Sequence, residues 1–346
     1  MSLPSKDETM NFLANMIGEE VRAIEQDYGN GFVRLAVSEA ARRQAKHDIR
    51  QVEDVVIELL RNARDAGAKT IYVATTTEGT RRTLVVLDDG QGIAEDMWEQ
   101  IFEPRVTSKL ETMRIDEWGV HGRGMALYSI KENVVSVKVA SSEVGKGTSL
   151  VVEVDSELLP GRADQSTWPT VEHHERGLRI RGPRNIVRTI AEFSFAHPEL
   201  SVYFGSIPEV ISTVFKGEGE QWLGTALQEC VDAQDLELEA TACGLVTSER
   251  TAYRIISGQL AGAVNVREHL AADHLTPETV DAVSFETLEK DSRGLKIDPA
   301  DLDAFCLDLE KAFDGLGEKY YLDLAGRVDV RHQGDTIRAT FRFDKQ

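Results

Sequence analysis

The run VVIELLRNARDAGA at residues 55–68 places the tightest demand on how this chain can fold. Val52, Val55, Val56, Leu59, Leu60 and Ala63 recur at the three- and four-residue spacing of a core-facing stripe, which predicts a helix that must find an apolar surface to cover. Glu58, Asn62 and Asp65 fall four and three residues apart and share one flank of that helix, because residues at those separations are neighbours on its surface. A carboxylate and an amide are thereby held at the edge of a core, where a cleft can open. On the helix alone a solvated polar edge is the simpler reading, and the segments that follow reverse that preference.

Gly67 is placed to close the helix. Residues 70–75 (TIYVAT) alternate as a strand, and residues 83–87 (TLVVL) make a second that runs into DDGQGI. A short helix near 95–101 precedes an irregular stretch over 102–120 that contains EPRVTSK. HGRGMALYSIKE then turns from glycine-rich loop into helix, and two further strands, 134–140 and 149–154, are joined by SSEVGKGT. The order helix, two strands, loop, helix, two strands predicts an α/β fold, a two-layer α/β sandwich whose mixed sheet carries helices on one face.

Around this block, residues 7–50 read as helices interrupted at Gly29-Asn30-Gly31, so residues 1–50 are expected to form an N-terminal helical segment. Residues 156–176 look like a connection, followed by strand, helix and strand, with Pro183 at the helix start and Pro198 beyond its end. One domain is expected over 51–204. Residues 205–346 are expected to form a helix-rich C-terminal domain ending in a β-hairpin, GRVDVRHQGDTIRATFRF, with Gly334-Asp335 near its turn.

The 39 basic residues against 59 acidic ones give a net charge of −20, a field that repels a phosphate backbone unless a local basic patch exists. No apolar run reaches the roughly 18 to 20 residues of a membrane span, and the N-terminus is acidic and interrupted, so no membrane is expected and a cytoplasmic location is. Cys230, Cys243 and Cys306 are scattered and odd in number, which predicts reduced thiols. His47, in KHDIR, reads as a surface histidine.

Four segments carry chemistry together. The helix supplies Glu58 and Asn62, and the D-x-G-x-G run supplies Asp88, Gly90 and Gly92 at a strand end. GVHGRGMAL supplies Gly119, Gly122 and Gly124 immediately before a helix N-terminus, where free N–H groups and the dipole favour a phosphate. GKGT supplies Gly145, Gly147 and Thr148 between two strands. Each signal is weak alone. Neither a G-x-x-x-x-G-K-[ST] loop nor a G-x-G-x-x-G after a strand occurs.

In this order the segments resemble the N, G1, G2 and G3 boxes of the GHKL ATPases, the superfamily of gyrase, the heat-shock chaperone ATPase, sensor histidine kinases and MutL. The resemblance covers about residues 50–155 and implies a Bergerat-type sheet. TSK at 107–109 with GRGMALYSI at 122–130 is similar to the lid of MutL-type proteins, and IFEPRVTSK is also close to the kinase F box. RNIVRTIAEFSFAHPELSVYF is similar to the helix and strand after the nucleotide domain in MutL and topoisomerase VI relatives, which favours an ATPase over a kinase.

The resemblance implies ATP and Mg²⁺ as cofactors. Asp88 would accept a hydrogen bond from the adenine amino group, with Thr148 nearby through water and Gly90, Gly92 and Ile93 shaping the same loop. Asn62 would hold Mg²⁺, with Asp65 beside it, and Glu58 would orient and deprotonate the attacking water. Gly119, Val120, His121, Gly122, Arg123, Gly124 and Met125 would wrap the phosphates. Lys109 and Arg123 are lid cations that either approach the phosphates or face solvent. The expected function is ATP binding and hydrolysis that drives a conformational or dimerisation switch, with an ATP-dependent homodimer and an unnamed protein partner. A histidine or protein kinase is the alternative, and a nucleotide-binding module with little turnover a third reading. The helical character of residues 206–325 departs from the α/β transducer of MutL and topoisomerase relatives, and with the acidic charge it disfavours DNA as a partner.

Overall fold

The computed structural model describes residues 24–29, 32–35, 39–107, 115–116, 119–120, 124–162, 164–174, 177–217, 222–272, 305–313, 322–333 and 336–345. Its first segment corrects the helical reading of residues 7–50. Strands β1 (Ile24–Gly29) and β2 (Phe32–Leu35) pair antiparallel, and α1 (Glu39–Asp48) is the helix described there. The reason lies far along the chain. Val33 and Arg34 pair across to Thr107 and Val106, Val33 is buried, and Arg34 Nη1 donates to Glu103 Oε2 at 2.9 Å, so long-range pairing overrides local preference. Residues 7–23 lie outside the described residues.

Helix α2 (Val52–Asp65) realises the amphipathic run, and all six residues of the predicted stripe are buried. Burial of such side chains stabilises the fold by roughly 1.5–3 kcal/mol for each large one. Asp54 Oδ2 accepts the backbone N–H groups of Arg50 at 3.0 Å and Gln51 at 3.1 Å, which satisfies donors ahead of the first turn. The Gly67 N–H closes the far end on the Arg64 carbonyl at 2.9 Å.

The surface that α2 covers begins with β3 (Thr70–Glu78) and β4 (Arg81–Asp88). Two short 3-10 turns, Glu95–Met97 and Gln100–Phe102, stand where one short helix was expected. After β5 (Val106–Thr107), β6 (Ile115–Asp116) and β7 (Gly119–Val120) come α3 (Ala126–Asn133), β8 (Ser136–Glu143) and β9 (Gly147–Asp155). A hairpin, β10 (Thr170–His174) and β11 (Gly177–Arg181), begins inside the expected connection and leads to α4 (Ile186–Ala196) and β12 (Ser201–Gly205). Asn185 caps α4 by accepting the Arg188 N–H at 2.9 Å. Helices α5 (Ile207–Lys216), α6 (Thr225–Gln228), α7 (Ala233–Ala242) and α8 (Glu249–Ile256) follow, then β13 (Val264–Asn265) and α9 (Val266–Ala272).

Six strands form the sheet in the order β13-β12-β3-β4-β9-β8, antiparallel except where β12 runs parallel to β3. The mixed sheet with helices packed against it is therefore present. Alternate residues point to opposite faces. Ile71, Val73, Leu84, Val86 and Val152 join the core under α2 and α4, whereas Tyr72, Ala74, Val85, Leu87 and Val151 join a second core under α5 to α8. The C-terminal helices thus add a third layer, and residues on either side of 204/205 share one core.

The chain divides into two units, Met1–Leu288 and Glu289–Gln346. In the second, a helix α10 (305–313) accompanies β14 (Leu322–Leu324), β15 (Asp329–Gln333), β16 (Thr336–Thr340) and β17 (Phe343–Lys345). Strand β14 pairs with β17, and β15 pairs antiparallel with β16 with Gln333 opposite Thr336. Of the expected helix-rich domain, residues 273–304 lie outside the described residues. Among the described residues no helix is long and apolar enough to cross a membrane.

Candidate functional site

Asp88 ends β4 opposite Thr148, the second residue of β9. Its side chain is 5% exposed, and Oδ1 accepts the Gly90 N–H at 2.9 Å. Burial pushes the carboxyl up to about 7, the neighbouring Asp89 charge adds to the rise, and N–H groups of Gly90 and Thr148 offset part of it.

Thr148 is buried, and its Oγ1 lies 3.0 Å from Ser142 Oγ. Ser142 Oγ also accepts the Ile93 N–H at 2.7 Å and donates to the Gly147 carbonyl at 2.9 Å. A hydroxyl has one proton, and that of Ser142 goes to Gly147. The Thr148 hydroxyl must then donate to Ser142, which leaves its own lone pairs for a ligand or a water. Sequence reasoning missed Ser142; its only signal is a hydroxyl in SSEVGKGT, just ahead of the glycines.

The loop carrying Asp88 is fastened on both sides. Asp89 Oδ1 accepts the N–H groups of Lys69 at 2.6 Å and Thr70 at 2.9 Å, and the Gln91 N–H reaches the Ala66 carbonyl at 2.9 Å. On the other side the Gly145 N–H donates to the Gln91 carbonyl at 2.7 Å. Gly92 has φ 67° and Gly147 φ 105°, and a Cβ at either would collide with a backbone carbonyl, that of Glu143 or Asp88 respectively. Glycine at these two positions is what lets the Asp88 loop and the β8–β9 loop touch.

On α2, Glu58 Oε1 accepts from Arg61 Nη1 at 3.1 Å, and the two side chains are only 12% and 14% exposed. Arg61, one turn on, was not singled out from sequence; it orients the carboxylate through one of its oxygens. Asn62 Nδ2 is buried and has no hydrogen-bond partner among the described residues. A buried amide without a partner is costly. It fits a bound group, since the amide offers a donor for a phosphate oxygen or, turned about its Cβ–Cγ bond, an oxygen for Mg²⁺. Asp65 is exposed at the helix end, and its Oδ1 accepts from Arg64 Nε at 3.1 Å and Nη2 at 2.9 Å.

Two segments cross where the glycine-rich run enters α3. The Arg105 N–H donates to the Gly124 carbonyl at 2.7 Å, and Arg105, 6% exposed, holds φ 59°, a region that side-chain-bearing residues rarely adopt. The Met125 carbonyl accepts the Ser129 N–H at 2.7 Å and its hydroxyl at 2.8 Å, which opens α3. Gly119 and Val120 form β7, paired with β6, while Lys109, His121, Gly122 and Arg123 lie outside the described residues. Asp88, Gly90, Gly92, Ile93 and Thr148 are thus brought into one polar cluster, and Ala66 ties that cluster to the end of the helix bearing Glu58 and Asn62.

Residues 47–158 match the family described as histidine kinase-, DNA gyrase B-, and HSP90-like ATPase. The DNA mismatch repair protein MutL of Thermus aquaticus is 34% identical over 161 residues, 44% of this chain and 29% of the relative. MutL of Halobacterium salinarum is 38% identical over 99 residues, 28% of this chain and 14% of the relative. Sensor protein RstB of Escherichia coli is 35% identical over 122 residues, 35% of this chain and 25% of the relative. The chain spans less than a third of the length of these curated relatives.

Proposed function

We propose that the domain at residues 47–158 binds ATP with Mg²⁺ and hydrolyses it to drive a change of conformation or of dimerisation. The observation that carries this reading is Asp88, a buried carboxylate at a strand end beside a threonine hydroxyl whose lone pairs are free. Such an acceptor suits the amino group of adenine and opposes guanine, which presents a carbonyl oxygen there; a site built for one hydrogen-bond polarity rejects the other strongly. Backbone N–H groups over 119–125, ahead of α3, would hold the phosphates. Asn62 would hold Mg²⁺, which when bound spreads the charge of the phosphate oxygens. Glu58, held by Arg61, would orient the attacking water and take its proton.

Similarity to both a mismatch repair protein and a sensor protein keeps transfer of the γ-phosphate to a protein as the second reading. Incubation with ATP labelled at the γ-phosphate separates the two. Hydrolysis predicts phosphate release without labelling of the chain, lowered about a hundredfold or more in Glu58→Gln while ATP affinity is kept. Stable labelling of the chain assigns the pocket to a kinase and overturns hydrolysis.

A further inference from the structure

Residues 176–188 carry five arginines, Arg176, Arg179, Arg181, Arg184 and Arg188, and no acidic residue, in a chain of net charge −20. This basic stretch runs through the second strand of the β10–β11 hairpin, which forms a two-stranded sheet separate from the six-stranded one. Val171 and Ile180 are buried, so strand alternation turns Thr170, Glu172, Arg179 and Arg181 to solvent, and Arg184 is exposed just beyond. Among the described residues no third strand joins either edge of the hairpin.

We propose that this face docks an extended acidic polypeptide strand, which adds beside β11 and sets its carboxylates opposite Arg179 and Arg181. Three observations favour a polypeptide. Arg179 and Arg181 lie two residues apart on one strand, the same interval at which an added strand presents alternate side chains, and opposite charges across neighbouring strands attract. An unpaired strand edge offers backbone donors and acceptors that only another polypeptide backbone can match in register. The face already seats a carboxylate from a neighbouring strand, because Arg181 Nε lies 2.6 Å from Glu172 Oε2. That same Glu172 stands in the way of a continuous track of phosphates, and the −20 field opposes a nucleic acid's dense charge.

The test uses the full chain and fluorescence anisotropy with a labelled peptide of repeated Thr-Glu. The same peptide with Gln in place of Glu, the Thr-Glu peptide methylated at alternate backbone nitrogens, and a labelled DNA duplex serve as comparisons. The Thr-Glu peptide is expected to bind, and both altered peptides to bind at least about tenfold more weakly. The double variant Arg179→Gln/Arg181→Gln is expected to weaken the Thr-Glu peptide about tenfold and leave ATP affinity unchanged. Arg179→Gln alone, at an exposed position, is expected to give part of the loss and guards against a folding defect. Absence of Thr-Glu binding, or binding indifferent to the double variant or to backbone methylation, overturns the proposal. Duplex binding tighter than the peptide and lost in the double variant also overturns it, and reassigns the face to nucleic acid. ATP affinity is read separately, so failure here leaves the nucleotide reading standing.

Discussion

A carboxylate buried at the end of a strand is unfavourable unless enough donors meet it, and at Asp88 the Gly90 and Thr148 N–H groups offset burial only in part. Its carboxyl is raised from 3.8 to about 7, so the ligand-free fold prefers the protonated form while a base amino group requires the ionised one. Between those values the native state holds a proton that the unfolded chain has released. The stability from this group is therefore complete below about pH 4 and is lost as pH rises through 7. ATP affinity should run the other way, level above about pH 8 and falling towards tenfold per unit as pH drops below 7. Calorimetric titrations across pH 5.5–8.5 (about the span that brackets this group) check it, and affinity independent of pH contradicts it. Asp88 and Thr148 were legible in the sequence because glycines mark the places where backbone must approach. Ser142 and Arg61 were not, since a hydroxyl and an arginine acquire their roles only once strand register and helix face are set.

At the scale of elements, the site depends on two loops pressed together at Gly92 and Gly147. Gly147→Ala should lower stability by about 3 kcal/mol or more, because it adds a backbone clash to an unfavourable φ. Gly145→Ala, also at positive φ but facing open space, should lower it by about 1 kcal/mol. Urea unfolding of the two variants distinguishes them, and equal losses contradict the close approach. Helix α2 and strands β3, β4 and β9 were readable because apolar spacing shows directly in the sequence. The hairpin over residues 24–35 was not, because it is stabilised by pairing with residues 106–107, about seventy positions away.

In the larger unit, the second face of the sheet was the least legible feature. Tyr72, Val85 and Val151 read as ordinary strand residues, and nothing in their spacing names α5 to α8 as their cover. That cover is bonded to the β8–β9 loop and the start of β9. The Leu223 N–H donates to the Lys146 carbonyl at 2.8 Å, and Ser149 Oγ donates to the Cys243 carbonyl at 2.6 Å. A shift at Thr148 is thus one residue from a contact with the C-terminal helices, a route by which ATP could alter an assembly surface. Sedimentation with and without a non-hydrolysable ATP analogue should show a dimer only with the analogue, and an unchanged mass removes dimerisation as the switch. Whether Asp88 reads adenine is tested most directly by calorimetric titration of the full chain and of Asp88→Asn with MgATP and MgGTP at about pH 8. MgATP is expected to bind the natural chain, and MgGTP, or MgATP with Asp88→Asn, to bind about a hundredfold or more weakly. MgATP affinity retained in Asp88→Asn, or MgGTP bound as tightly as MgATP, would contradict it.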